Sequence, residues 1–148
     1  KYFVNESYNS GMSAIGLEYQ VLDDAKHPDA KLGTVGNRTM ASLYDIIPSK
    51  KIDGRFQKKV GEWNNARIIV YPNNIVQHWL NGFKVIEYER KSNIFKVLVA
   101  HSKHAKWDGF GMQDKGPILF QEHGDSVFFK EISCLVFKEI HRKLQSYR

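Results

Sequence analysis

The sequence lacks most of the features by which common protein classes are recognised. Its one cysteine, Cys134, lies in the apolar run ISCLVF, so an intramolecular disulfide is excluded and the thiol is expected to be buried and inert. No apolar run approaches the roughly 18 residues that a membrane-spanning helix needs, and no membrane span is predicted. No linker, low-complexity tract or internal repeat interrupts the 148 residues. With 42% hydrophobic and 13% aromatic residues, the chain is expected to form one globular domain over residues 1–148.

Patterns for nucleotide, zinc and calcium binding are also missing. The glycines of GFGMQDKG lack the strand and helix of a phosphate-binding loop, and no nucleophile elbow for a Ser-His-Asp triad is present. His101 and His104 form an i, i+3 pair, but no third zinc ligand lies nearby in the sequence. The run DDAKHPD offers oxygen and imidazole ligands without the EF-hand spacing. No cofactor is therefore certain, and a weak divalent cation site with unknown metal ligands stays open.

Positive charge exceeds negative charge, with 22 Lys and Arg residues against 16 Asp and Glu and a formal net charge of +6. Such a balance raises nucleic acid or an anionic surface as a partner. The basic residues are spread along the chain, and the densest group, the basic tail 138–148, is not interleaved with aromatic residues in the manner of a nucleic-acid motif. A solvated basic surface is therefore favoured, and no nucleic-acid partner is predicted.

Short β-rich runs separated by turn residues dominate the chain. Asn81 and Gly82 lie between two of these runs and give the strongest short hairpin signal, because both central residues of a type I′ turn need positive φ. Residues 66–90 therefore predict an antiparallel meander, with strands at Arg67–Tyr71, Ile75–Leu80 and Phe83–Glu89.

Further runs predict a larger all-β fold. Pro117–Glu122 and Ser126–Phe137 flank HGD and have the pattern of a second hairpin, while the opening KYFV and Leu17–Leu22 add further strands. About seven regularly spaced short strands suggest an antiparallel sandwich or barrel. One short helix is expected after Ser92 as N-cap, with an amphipathic stripe at Ile94, Val97, Leu98 and His101.

One strand carries an unusually polar face. In GLEYQVLDD, Glu18 and Gln20 alternate with Tyr19 and Val21, which predicts a polar face opposite a core face. The polar face could also be no more than the wet side of an outer sheet.

Other polar and aromatic side chains in or near strands and loops extend this set: Arg38, His78, Trp107, Gln121 and His123. His78 could instead be a core imidazole, Trp107 a core aromatic, and His123 a residue that only shapes a turn. Taken jointly, amides, carboxylates and indoles on the curved face of a sandwich predict a sugar cleft. A carboxylate and two histidines in such a cleft suffice for proton transfer near neutral pH.

Several motifs in fixed order resemble one bacterial family. They are GLEYQVLDDAKHPDA, GNRTMASLYDIIP, KVGEWNNARIIV, VQHWLNGFKVIEYE, WDGFG and DKGPILFQEHGDSVFFKEI. From about residue 10 to residue 137 the chain resembles the 3-keto-disaccharide hydrolases, formerly a domain of unknown function. The resemblance implies a concanavalin-like jelly-roll β-sandwich, whose N-terminal strands are expected to be missing from this chain. The tail 138–148 exceeds the usual family end.

The resemblance implies cleavage of 3-keto-glycosides or 3-keto-disaccharides. A ketone at C3 acidifies the C2 proton, so that a base removes this proton, the C1 aglycone is expelled and hydration completes a net hydrolysis. A sugar 3-dehydrogenase is then expected as the functional partner that supplies the substrate. A periplasmic or secreted location is also expected, with the signal segment outside this chain.

The matched motifs and the strand alternation suggest roles for individual residues. Glu18, His78 and His123 are the candidates for acid and base catalysis. Substrate binding is assigned to a second group. In this group Trp107 stacks on the sugar, and Asp23 and His27 orient a loop or help to hold a divalent cation. The residues that bind hydroxyls or polarise the ketone are Gln20, Arg38, Lys103 and Gln121. The alternatives are a non-catalytic glycan-binding module, since lectins share this sandwich, and an inactive or accessory paralogue.

Overall fold

A computed structural model of the chain describes residues 1–8, 14–51, 55–122, 124 and 126–136. The described residues form strands β1 (Tyr2–Asn5), β2 (Ile15–Leu17), β3 (Ala66–Val70), β4 (Ile75–Leu80) and β5 (Phe83–Glu89), the helix α1 (Asn93–Ala100), and the 3-10 helices η1 (Pro28–Lys31) and η2 (Lys103–Lys106). Both sheets are antiparallel, so the strand-rich antiparallel class with one α-helix is confirmed for this part of the chain. None of the described helices is long and apolar enough to cross a membrane.

The meander is confirmed and forms a three-stranded sheet in the order β3-β4-β5. Asn81 and Gly82 at the tight turn have φ values of 49° and 87°, as a type I′ hairpin requires. The Asn81 amide also donates to the Phe56 carbonyl at 2.9 Å, which ties the turn to the preceding loop.

The helix forms where the sequence predicts it, but with a different buried face. The Ser92 hydroxyl accepts a hydrogen bond from the Phe95 N–H at 3.1 Å, which confirms the N-cap. The expected stripe was wrong, because Ile94 is 76% exposed and Val97 is also exposed, whereas Phe95 is buried against Tyr88. A two-turn helix supplies too few apolar positions to decide between adjacent faces by spacing alone.

The strand predicted at Leu17–Leu22 ends earlier than expected. β2 stops at Leu17, and the following residues pair with a loop through the Tyr19–Leu43 bridge instead of continuing a ladder. Tyr19 faces the core side, as expected, and its hydroxyl donates to the Trp79 carbonyl at 3.0 Å. Val21 is 43% exposed, so its expected place in the core was wrong.

The second hairpin is not found among the described residues, and part of its predicted turn and its last residue, Phe137, lie outside them. Residues 117–122 and 126–136 contain no strand, and only the start of this segment lies beside β1, where the Leu119 N–H donates to the Lys1 carbonyl at 2.9 Å. Its apolar side chains are largely exposed, including Phe128 and Val136, and Cys134 is exposed instead of buried. An apolar run becomes a paired strand only if another backbone edge is available to it. The described residues therefore form two small sheets, and a closed jelly roll is not reached.

His78 lies in the core, where the two sheets meet. It is 0% exposed, and its Nδ1 lies 2.9 Å from the Ala41 carbonyl while its Nε2 lies 2.7 Å from the Tyr2 hydroxyl. A carbonyl can only accept, so Nδ1 carries the proton, Nε2 accepts from Tyr2, and the Tyr88 hydroxyl 2.9 Å away donates to Tyr2. The alternative of a core imidazole therefore describes this position, and a side chain so enclosed cannot contact a sugar.

Removing the Tyr2 hydroxyl is expected to weaken the fold. Tyr2→Phe leaves the buried Nε2 of His78 and the Tyr88 hydroxyl without their partner, so the free energy of unfolding should fall by about 1–3 kcal/mol in urea titrations. Tyr71→Phe is the matched control, because the Tyr71 hydroxyl makes only an exposed 3.5 Å contact. Equal unfolding midpoints for Tyr2→Phe and the wild type would contradict this network.

The stability of the protein is expected to fall in mild acid because of His78. Burial lowers its pKa to about 4, and the hydrogen bond to Ala41 opposes this shift only in part. In the unfolded chain the pKa of this imidazole is about 6.5, so the unfolded state binds the proton more tightly than the folded state does. The contribution of neutral His78 to the free energy of unfolding is therefore fully present above about pH 6.5 and is lost as the pH falls through about 4. The loss amounts to about 3 kcal/mol.

Urea midpoints of the wild type and His78→Gln between pH 7 and pH 4.5 check this expectation. The variant should be less stable at pH 7 and should lose less of its remaining stability in acid. Parallel pH profiles for the two proteins would show that His78 is not the responsible group.

Candidate active site

A cluster of charged and polar side chains surrounds the ring of Tyr44, and we refer to it as the Tyr44 cluster. Three stretches of chain supply it: the segment after β2, the loop from η1 to residue 45, and the start of η2. Its members are Glu18, Asp29, Arg38, Tyr44, Asp45 and Lys103.

Backbone pairing brings the first two stretches together. The Tyr44 N–H donates to the Glu18 carbonyl at 3.0 Å, and the Ala41 N–H donates to the Gln20 carbonyl at 2.8 Å. Because side chains alternate along such a pairing, Glu18 and Gln20 lie opposite Tyr19, which faces the core. The polar face expected from GLEYQ is therefore real, and its Glu18 end lies beside Tyr44.

Arg38 is held by two carboxylates. Its Nε donates to Asp45 Oδ1 at 2.6 Å, and its Nη1 donates to Asp29 Oδ1 at 2.9 Å. Its guanidinium carbon lies 5.5 Å from the centre of the Tyr44 ring. Charge-assisted bonds of this length fix the direction of a guanidinium, which makes Arg38 a rigid cation at the edge of the cluster.

Lys103 places a second cation over the same ring. Its ammonium nitrogen lies 3.8 Å from the Tyr44 ring centre, and its backbone N–H donates to Asp45 Oδ2 at 2.7 Å. Desolvation lowers the pKa of the Lys103 ammonium. The Glu18 carboxylate raises this pKa, and the Arg38 charge lowers it further, so the net shift is downward. Two cations therefore lie near one aromatic ring, and the Glu18 carboxylate is close enough to interact electrostatically with Lys103 and Tyr44.

Glu18 is the carboxylate with the looser pairing in this cluster. Its Oε2 lies 3.5 Å from the Lys1 ammonium, compared with the bonds of 2.6 and 2.9 Å from Arg38 to the two aspartates. Burial raises the pKa of Tyr44, and its hydrogen bond to Asp29 raises it further, so the phenol stays neutral and donates a hydrogen bond to that carboxylate. Glu18 is thus the carboxylate of the cluster that is held least closely by a cation.

His104 lies behind the cluster. It is buried, stacks on Phe110 with ring centres 4.2 Å apart, and meets Tyr44 edge-on at 6.4 Å. Burial and, to a smaller extent, the Lys103 charge lower the pKa of His104 to about 4, so its ring is neutral at physiological pH. His101 is exposed and bonds to the Val97 carbonyl, so the two histidines of the i, i+3 pair do not converge. Among the described residues, no group of three His, Cys, Asp or Glu side chains is placed to hold a metal ion.

Several residues expected at the site serve local structure. Asp23 accepts hydrogen bonds from the N–H groups of Ala25 and Lys26, which forms a turn. His27 caps η1, with its Nδ1 accepting from the Asp29 N–H at 3.2 Å. Both side chains therefore shape the loop that delivers Asp29 to Arg38.

The remaining expected residues lie apart from this geometry or outside the described part of the chain. Trp107 ends η2 and packs against Tyr8, with ring centres 5.5 Å apart. Gln121 lines an open groove of about 450 Å³ formed within residues 120–129. His123 lies outside the described residues.

The structure also brings in residues that the sequence did not single out as site candidates. Asp29, Tyr44 and Asp45 all contact or face Arg38. The only sequence signal for them was their place in two of the quoted motifs, AKHPDA and ASLYDIIP. Their convergence with Lys103 depends on a contact across 58 positions, which no local pattern contains.

Comparisons with known proteins place this chain among similar sequences and folds. A relative from Bacteroides thetaiotaomicron, named 3-keto-disaccharide hydrolase, is 42% identical over 129 residues, which cover 80% of this chain and 43% of the relative. A crystal structure of a Parabacteroides distasonis protein, provisionally described as a glycosyl hydrolase, matches with a TM-score of 0.55 and 23% identity over 66% of this chain and 45% of that protein. At that identity the match concerns the fold alone. The chain spans less than half the length of both proteins.

The most extensive match is to a family model. The model for the 3-keto-alpha-glucoside-1,2-lyase-like domain matches residues 2–134, which include every member of the Tyr44 cluster. The chain therefore belongs to the family of the 3-keto-alpha-glucoside-1,2-lyase-like domain.

Proposed function

We propose that this protein cleaves 3-keto-glycosides by removing the C2 proton and eliminating the C1 aglycone, and that the Tyr44 cluster is its active site. One observation carries the proposal: the Arg38 and Lys103 cations lie 5.5 and 3.8 Å from the centre of the Tyr44 ring, and Lys103 interacts electrostatically with the Glu18 carboxylate. Family membership and the name of the Bacteroides relative support the same class of substrate.

This arrangement matches the charges that the reaction develops. As the C2 proton leaves, negative charge builds up on the C3 oxygen and an enolate forms, which the Arg38 and Lys103 cations stabilise. The C1–O bond then breaks, the aglycone leaves as an alcohol after protonation, and water adds to the resulting enone to give a 3-keto sugar. Positioned cations cost no reorganisation when the charge appears, so their rigidity matters as much as their sign.

Glu18 is the proposed base. A carboxylate can remove a proton next to a ketone when the enolate oxygen is stabilised, since stabilisation of the enolate reduces the demand on the base. Of the two histidines named as candidates for acid and base catalysis, His78 is enclosed in the core, and His123 stays a proposal. Gln20, on the same face as Glu18, is proposed to bind a sugar hydroxyl, and Trp107 and Gln121 stay candidates for contacts farther along the sugar.

The wider setting is also proposed. A sugar 3-dehydrogenase would supply the ketone, and a periplasmic or secreted location would give access to external glycosides. The complete jelly-roll sandwich, which the matched relatives are long enough to contain, would extend the two small sheets described above.

Release of an aglycone tests the function directly. Incubation with a 3-keto aryl glucoside should liberate the phenol, whereas the parent glucoside with its C3 hydroxyl should stay intact. In heavy water, deuterium should appear at C2 of the product, as proton abstraction requires. Binding of the keto compound without release of phenol would instead support the glycan-binding module.

Replacing Glu18 is expected to abolish most of the activity. Glu18→Gln keeps the size of the side chain and removes its basicity, so turnover of the keto substrate should fall by about a hundredfold or more. Glu87→Gln is the matched control, because Glu87 is an exposed carboxylate on β5 that pairs with Lys84 and Gln77. Wild-type turnover in Glu18→Gln would remove Glu18 from the role of base.

A further inference from the structure

Asp45 joins the side chain of Arg38 to the backbone of Lys103 through its two carboxylate oxygens. Oδ1 accepts from the Arg38 side chain at 2.6 Å, and Oδ2 accepts from the backbone N–H of Lys103 at 2.7 Å. The residue is only 8% exposed, and its own N–H donates to the Asn37 carbonyl at 2.8 Å. Both oxygens are therefore engaged, and Asp45 is not available to a sugar.

The backbone of Asp45 is held in an uncommon conformation. Its φ is 62°, in the left-handed region that non-glycine residues seldom occupy. Aspartate and asparagine tolerate this region better than other residues, but the surrounding structure must still maintain it. In this conformation the carboxylate lies between the loop that carries Arg38 and the start of η2.

The position of the carboxylate offsets an electrostatic conflict. Arg38 and Lys103 carry like charges near one aromatic ring and repel each other, and the Asp45 carboxylate lies close enough to attract both. Burial alone would raise the pKa of Asp45, but the hydrogen bonds from Lys103 and Arg38 outweigh burial and hold that pKa below its usual range. Asp45 is therefore a fixed anion at neutral pH.

We infer that Asp45 is a positioning residue that holds Arg38 and Lys103 at the spacing at which both bind the C3 oxygen of a keto sugar. The inference rests on the proposed function and adds to it the device that sets selectivity for a C3 ketone over a C3 hydroxyl. The ketone oxygen is only an acceptor, and two converging cations suit it better than they suit a hydroxyl, which must also donate.

The test compares two probes that carry no aglycone. The first is the 3-keto derivative of 1,5-anhydroglucitol, and the second is 1,5-anhydroglucitol itself, with binding of both measured by calorimetry. The wild type should prefer the ketone. Asp45→Asn tolerates the same backbone conformation but cannot accept from both partners, so it should bind the ketone about tenfold more weakly and the alcohol unchanged.

Asp24→Asn is the matched control. Asp24 also joins a backbone N–H, that of Met40 at 2.6 Å, to a lysine, Lys51, but it lies outside the Tyr44 cluster. This variant should keep the wild-type ratio of ketone to alcohol affinity. A general loss of loop structure would instead weaken both probes in both variants, and that result would overturn a positioning role.

Three further outcomes bear on the inference. An unchanged preference for the ketone in Asp45→Asn overturns it, as does a wild type that binds both probes equally or not at all. If Asp45→Asn does not fold, Asp45→Glu replaces it, because glutamate keeps the charge but its longer side chain cannot keep both bonds at their present lengths. Loss of the ketone preference in Asp45→Glu supports the inference, and a retained preference overturns it.

The aglycone assay separates this inference from the proposed function. A protein that shows an Asp45-dependent ketone preference but releases no phenol contradicts the proposed function and supports the positioning role. If the wild type releases phenol and Asp45→Asn keeps the preference for the ketone, the proposed function is supported and the positioning role is contradicted.

Discussion

The buried hydrogen-bond chain through His78 is the interaction on which the rest of this structure depends. Tyr88 donates to Tyr2, Tyr2 donates to His78, and His78 donates to the Ala41 carbonyl, so β5, β1, β4 and the loop at residue 41 are joined inside one core. In a core that excludes water, every member of such a chain must keep its partner, because an unpaired polar group there costs more than the bond contributes. The two small sheets are therefore held in register with the loop as well as with each other.

The same loop carries the proposed active site. Ala41 accepts from His78 on its carbonyl side and donates to Gln20 on its N–H side, which sets the pairing that places Glu18 beside Tyr44. Four residues later, Asp45 fixes Arg38 and η2. The core therefore positions Glu18, the proposed base, and the Asp45 carboxylate binds the Arg38 side chain and the Lys103 backbone. Both are constraints on position, which is what stabilisation of a developing enolate requires.

Local signals in the sequence predicted local structure well. The Asn81-Gly82 turn fixed the meander because its backbone demands positive φ, and Ser92 located the start of α1 because its hydroxyl can cap the helix. The alternation around Glu18 correctly separated a polar side from Tyr19 on the core side.

What could not be predicted depends on contacts between distant residues. His78 shares a strand face with Val76 and Leu80, and all three are fully buried, but a histidine on that face would suit a cleft equally well until its partners Tyr2 and Ala41 are known. The Asp45 contacts join positions far apart in the chain, and strand propensity in residues 117–136 could not reveal whether a pairing edge exists. Amino-acid composition and the periodicity of hydrophobic residues contain no information about contacts between distant residues.

The claim that the Tyr44 cluster is the active site is tested most directly by locating the bound sugar on the protein. Backbone and side-chain NMR shifts can be followed while the 3-keto derivative of 1,5-anhydroglucitol is titrated into the 17.2 kDa chain. If the cluster binds the keto sugar, the largest shifts should fall on Glu18, Arg38, Tyr44 and Lys103. Shifts confined to the groove of residues 120–129, with the Tyr44 cluster unmoved, would contradict this claim.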